Sequence, residues 1–313
     1  MSETVPEVKA AAVPLARSEK KRNSLKAKQT QLAWLLLLPT LAIVAAVALY
    51  PLIQAVYQSL TNAHFNSSTP TRFIGLRNYT DLLQDTQFRS SIWIAIKFAI
   101  VTVIFESMLG MIVALVVNSN FRGRGLTRAA MLIPWAIITV VSAQMWKFMF
   151  SQTSGVFNDI LVRLHIISNP VAFLAQNNTA FWSICAIDIW KTTPFVALLL
   201  LAGLQVIPGD VYEASHVDGA SALQTFWRIT LPLLRPAIAV TLIFRTLDAL
   251  RVFDLFYVAE GTRPDTETMA IYNYDNLVSF GQFGYGSAIS VAIFVIIALF
   301  VITYVSLIKV EQS

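Results

Sequence analysis

Six apolar blocks, each long enough to cross a bilayer, constrain this chain more than any other feature. They run from Leu32 to Ile53, Ile92 to Val117, Ala129 to Phe150, Ala180 to Val206, Ala237 to Val258 and Tyr285 to Ile308. A crossing takes about 20 mostly apolar residues, because a helix rises about 1.5 Å per residue and the hydrocarbon layer is about 30 Å thick. Lipid offers no hydrogen-bond partners, so such blocks must satisfy their own backbone, and a helix does so within one segment. Composition agrees: 56% of residues are apolar, 13% are charged and mean hydropathy is +0.62. A soluble domain carries about twice that charge fraction. The expected fold is all-α and polytopic, with six transmembrane helices over residues 32–308, a basic arm over residues 1–31 and a short tail over 309–313.

Six crossings put both ends on one side, and basic residues say which, since cytoplasmic segments retain Lys and Arg. The arm, the segments after the second and fourth spans and the tail hold thirteen of them, whereas the three opposite connections hold five. Arg17, Lys20, Lys21, Arg22, Lys26 and Lys28 supply much of this bias, with Arg122, Arg124 and Arg128 in support. Both termini are therefore expected in the cytoplasm. The arm lacks an apolar stripe and reads as mobile, and its charge suits topology control and anionic lipid rather than nucleic acid. Ala46, Val47 and Ala48 resemble a small-residue cleavage site. The long basic region and span-length apolar stretch favour a retained helix over a removable signal.

Between the fourth and fifth spans, residues 208–236 form a long polar loop, also expected on the cytoplasmic side. Asp210 can cap a helix starting near Val211, and Glu213 in its first turn suits the positive end of the helix dipole. Gly219 can adopt positive φ and turn the chain into a second short helix through Phe226 and Trp227, which Pro232 and Pro236 are expected to end. The spacing is specific: Glu213, Ala214 and Ser215, three residues, Gly219, nine residues, then Ile229, Leu231 and Pro232 around one variable position. This resembles the loop shared by permease subunits of ATP-binding cassette importers, with Ser215 where Ala is usual. Asp218 beside Gly219 and the run Leu233 to Pro236 resemble the carbohydrate branch in particular.

The resemblance implies a heteromeric importer: a second permease, a dimer of ATP-binding subunits, an extracytoplasmic sugar-binding protein and surrounding membrane lipid. It implies that Glu213, Ala214, Ser215, Asp218, Gly219, Ile229, Leu231 and Pro232 receive motion from an ATPase. It also implies that ATP and Mg are bound by partner subunits and no cofactor by this chain. The chain's own residues agree, since none of its twelve glycines is followed by lysine and the phosphate loop GxxxxGK[ST] cannot be built. By similarity over Phe244 to Asn276, the cargo is a disaccharide or small oligosaccharide of the maltose or trehalose type. Glycerol phosphate, another small solute or a secondary transporter are the alternatives.

Charges within spans are costly in lipid and face protein or water. Arg245, Asp248, Arg251 and Asp254 recur every third residue in the fifth block, Asp188 and Lys191 read as a pair in the fourth, and Glu106 lacks a local partner. They serve either as ties between helices or as the lining of a transport path. Trp190, Tyr257, Asn273, Tyr274, Asp275 and Asn276 have the aromatic and hydrogen-bonding chemistry of a sugar path, though aromatics near span ends also form interfacial belts. Lys97 and Lys147 lie where a side chain can reach the interface.

Other chemistry has little support. Cys185 is the only cysteine, and His64, His165 and His216 are scattered, so a disulfide or metal site is not expected. The sequons at Asn66 and Asn177 read as accidental loop sequence. An embedded enzyme would bring paired carboxylates or clustered histidines on facing spans, whereas the acids here have basic neighbours.

Overall fold

The computed structural model describes residues 16–65 and 70–310. The first fifteen residues of the arm, Asn66 and the last three residues lie outside the described residues. The chain divides into a unit through Ala55 and a second unit from Val56 onward. Helix α1 covers residues 16–59 as Ala16–Val44, a π-turn at Ala45–Leu49 and Tyr50–Ser59. The arm expected to be mobile is thus helical from Ala16, because Lys, Arg, Leu and Ala all favour helix even without an apolar stripe.

In the second unit, α2 (Arg77–Gln84) leads through Asp85 into α3 (Thr86–Asn118). There follow α4 (Arg124–Ala136), α5 (Thr139–Met149), α6 (Val156–Arg163) and α7 (Thr179–Val206). The C-terminal part holds α8 (Gly209–Val217), α9 (Ala222–Leu250), α10 (Asp254–Glu260), α11 (Met269–Tyr274) and α12 (Phe283–Val310). Among the described residues, five helices are long and apolar enough to cross a membrane, and the bent pair α4 and α5 makes up to six.

Two expected spans are not single rods. The third is bent by 87° between α4 and α5. The helix runs past Pro134 to Ala136, and Ile137 and Ile138 then turn extended at the bend. The fifth begins earlier than expected and stops at Leu250. Steps of three residues drift by about 60° around a helix, so an unbroken rod would carry Asp254 to the face opposite Arg245. Breaking at Arg251 lets all four charges line one cavity.

The core is built on α3 against α7. Gly110 allows this closeness, since a Cβ there would meet Val196 Cγ1 at 2.6 Å, and Gly203 does the same between α7 and α9, where a Cβ would meet Ala237 Cβ at 2.4 Å. Without a hydrophobic drive between helices in lipid, small residues gain association through backbone approach. Phe98, Ile184, Ile187, Leu250 and Phe256 fill one buried cluster, and Ala114, Val196, Leu200 and Leu234 fill another.

Candidate functional site

Arg245 of α9 is 2% exposed and gathers carboxylates from three helices. Its Nε donates to Glu106 Oε2 of α3 at 2.5 Å, and one terminal nitrogen donates to Glu106 Oε1 at 2.9 Å and to Asp188 Oδ2 of α7 at 3.0 Å. The other terminal nitrogen donates to Asp248 Oδ2 at 2.7 Å. Thr192 Oγ1 completes the group by donating to Glu106. The partner missing for Glu106 in the sequence is therefore Arg245, far away in the chain. The pairing expected between Asp188 and Lys191 is not formed, because the Asp188 carboxylate turns to the guanidinium instead. Breaking such a buried network by removing one partner costs about 3–5 kcal/mol.

A cavity of about 220 Å³ opens beside this cluster. Asp188, Lys191, Arg245, Asp248, Arg251 and Asp254 all line it, giving three acids and three bases. Trp135 and Thr139 enter it from either side of the break between α4 and α5, Thr192 from α7 and Phe253 from the break after α9. A second cavity of about 410 Å³ is lined by Arg251, Phe253, Asn273, Tyr274 and Ser290, so Arg251 and Phe253 border both. Phe253, Tyr257 and Tyr274 form an aromatic triad with ring centroids 5.2, 5.3 and 5.3 Å apart. Asn273 Nδ2 donates to Ser290 Oγ at 2.9 Å, while its buried Oδ1 has no partner.

The remaining candidates lie elsewhere. Trp190 meets Trp146 edge-on at 5.4 Å, Asn276 is buried and donates to Tyr272 O at 2.9 Å, and Asp275 accepts from Ser279 Oγ at 3.0 Å. Trp135, Thr139, Thr192 and Phe253 were not foreseen. Pro134 inside the third block was the available signal for the first two, since a proline there marks a break that can carry side chains into a cavity.

The polar loop folds as two short helical arms. Pro208 rather than Asp210 stands at the cap of α8, leaving Asp210 in its first turn. Gly219 has φ +72 and room around its Cβ position. Its N–H bonds His216 O at 3.1 Å and the Ala220 N–H bonds Ser215 O at 3.0 Å, the paired closure that a left-handed residue after a helix permits. Ser221 and Gln224 then bond each other's backbone N–H groups at the start of α9. Pro232 and Pro236 do not end this second arm. A π-turn at Phe226–Thr230 lets the Leu231 N–H reach back to Phe226 O, and the helix continues through both prolines.

Glu213, Ala214, Asp218 and Gly219 are exposed, and Ile229, Leu231 and Pro232 are half-buried. Ser215 is buried: its Oγ donates to Tyr212 O at 2.8 Å and lies 3.3 Å from Thr225 Oγ1. Among the expected docking residues, it therefore faces its own chain and ties the two arms together. Exposed Val217, Leu223 and Trp227 add an apolar surface that the spacing pattern did not single out.

Residues 106–310, which hold the cavities and the loop, match the family described as the binding-protein-dependent transport system inner membrane component. The chain belongs to this family. It is a multi-pass permease of the ATP-binding cassette class. Over 287 residues it is 44% identical to the trehalose/maltose transport system permease protein MalF of Thermococcus litoralis, covering 90% of this chain and 95% of that one. It is 38% identical over 283 residues to the sulfoquinovosyl glycerol transport system permease protein SmoG of Agrobacterium fabrum, covering 90% and 91%. It is 37% identical over 286 residues to the trehalose transport system permease protein SugA of Mycobacterium tuberculosis, covering 91% of each chain. The permease also superposes on a chain of a bacterial ABC transporter involved in the import of the acidic polysaccharide alginate. The TM-score is 0.79 at 23% identity, over 93% of this chain and 100% of that one, which shows a common fold.

Proposed function

We propose that this permease forms half of the pore of an ATP-driven importer for an uncharged disaccharide or small oligosaccharide of the maltose or trehalose type. The observation that carries the reading is the continuity of α9. One helix, from Ala222 to Leu250, has the polar loop at one end and Arg245 and Asp248 at the other. At about 1.5 Å per residue it is a rod of about 44 Å.

A separate ATP-binding subunit, holding ATP and Mg, grips the loop through Glu213, Ala214, Asp218 and the exposed apolar residues around them. This chain binds no cofactor. Closure of the ATPase dimer moves both arms as one body, since buried Ser215 and Thr225 pack them against each other, and α9 carries the displacement to the cavity. The result is rigid-body rocking against a second permease, with access alternating between the cytoplasm and the outside. Both termini and residues 208–236 are cytoplasmic in this scheme, residues 32–308 form the pore domain, and an extracytoplasmic binding protein delivers cargo.

The two cavities suit a sugar. Three acids and three bases line the first, and they supply hydrogen bonds in both senses without an excess of either sign. Phe253 and Tyr274 offer ring faces to the apolar side of a pyranose. The names of two relatives, which transport trehalose or maltose and trehalose, point the same way.

The test is ATP hydrolysis by the assembled transporter with its binding protein, measured with trehalose, maltose and glycerol 3-phosphate in turn. Stimulation by a disaccharide and none by glycerol 3-phosphate is expected. Stimulation by glycerol 3-phosphate alone would overturn the cargo class.

A further inference from the structure

Helix α3 carries a stripe that changes character at one level. Arg89, Trp93, Lys97, Ile100, Ile104 and Met108 are all exposed. At about 100° per residue they fall within an arc of about 100°. The N-terminal part of this stripe is cationic and aromatic, and the rest is apolar. The change coincides with the start of the run from Phe98 to Val117, which has the length of about 20 residues needed to cross hydrocarbon. Lys97 therefore stands at the boundary between hydrocarbon and headgroups.

Lys97 is held there by rings. Its Nζ sits 4.4 Å from the centre of the Phe181 ring and 5.7 Å from that of Trp182. Trp93 and Trp182 are 64% and 53% exposed, as befits aromatics that mark a membrane interface. Neither Arg89 nor Lys97 forms an ion pair among the described residues. The nearby acid Asp85 is engaged by the hydroxyls of Tyr272 and Tyr285. Two cations at the headgroup level thus keep N–H donors that an anionic oxygen can use.

We propose that this stripe binds one anionic phospholipid. Its phosphodiester lies between Arg89 and Lys97, flanked by Trp93 and Trp182, and one acyl chain runs along Ile100, Ile104 and Met108. From Lys97 to Met108 is about 16 Å along the helix, close to the half-thickness of a hydrocarbon core of about 30 Å. The leaflet is the one at the N-terminal end of α3.

The experiment uses the full-length chain in nanodiscs of mixed phosphatidylglycerol and phosphatidylcholine, released into native mass spectrometry. Retained phosphatidylglycerol is expected on the wild type, with about thirtyfold less on Arg89→Gln/Lys97→Gln, since each basic contact near a membrane contributes about 1 kcal/mol. The charge-keeping pair Arg89→Lys/Lys97→Arg should retain lipid, and so should Arg77→Gln on α2. Equal retention on the double Gln variant overturns the proposal. Displacement of the lipid by excess inorganic phosphate would show a free-anion site and also overturn it. A benzoylphenylalanine placed at Trp93 should photocrosslink to lipid; capture of protein alone contradicts the assignment.

Discussion

Arg245 and Glu106, 139 residues apart, meet through two parallel N–H···O contacts of 2.5 and 2.9 Å inside the membrane-spanning region. This pair fixes α9 against α3 and holds the guanidinium where Asp188 and Asp248 can reach it. Arg245→Met should strand Glu106 and Asp188 and cost about 3–5 kcal/mol, read as a lower unfolding temperature of the purified chain. Adding Glu106→Gln and Asp188→Asn should recover more than half of that loss. A triple variant less stable than the single one would mean that the charges do not depend on each other.

Gly219 has φ +72 with no neighbour crowding its Cβ position, so backbone strain alone opposes a side chain there. Gly219→Val should cost about 1–2 kcal/mol locally and turn the two arms of the loop to another angle. Membrane insertion should persist while ATP-driven uptake is lost. Glu213→Arg should do the same by reversing an exposed charge at the proposed ATPase contact.

Ser215 gives a discriminating case, because it belongs to the spacing pattern but faces Thr225. Ser215→Ala should keep uptake near the wild-type rate, since it loses one hydroxyl pair and no volume. Ser215→Leu should force the arms apart and abolish uptake. Wild-type uptake by the Leu variant would show that the joint between the arms transmits nothing.

Much of this arrangement was legible in the chain. Long apolar runs located α3, α7 and α12 to within a few residues, because lipid leaves a span little choice but helix. The loop was legible through Gly219, whose positive φ a fixed spacing required. The break after Ala136 had one nearby signal, Pro134, whereas the break after Leu250 was not legible, because only the gathering of Arg245, Asp248, Arg251 and Asp254 at one cavity accounts for it. The cavity-lining residues were likewise only partly foreseen: spacing by threes along one helix suggested local pairs, whereas the Arg245 guanidinium reaches carboxylates on three helices at once.

Asp85 lies outside the spans, at the cap of α3. Burial raises its pKa, but hydrogen bonds from the Tyr272 and Tyr285 hydroxyls and from the Phe88 and Gln87 N–H groups outweigh that and hold it below the ordinary carboxylate value. A depressed carboxylate stabilises the fold above its unfolded pKa of about 4, and the contribution is lost as pH falls through the folded value. Amide exchange in α11 and at the start of α3 should therefore quicken, relative to the intrinsic rate, on acidification below about pH 4. Asp85→Asn, which keeps a capping oxygen but cannot ionise, should flatten that dependence.

The central claim is that α9 works as one rod between the loop and the cargo cavity, and two glycines inserted after exposed Val240 test it most directly. ATP hydrolysis by the assembled transporter is then measured with and without cargo-loaded binding protein. The rod account predicts that basal hydrolysis survives while stimulation by cargo and uptake both disappear. Undiminished stimulation and uptake with the helix interrupted would contradict it.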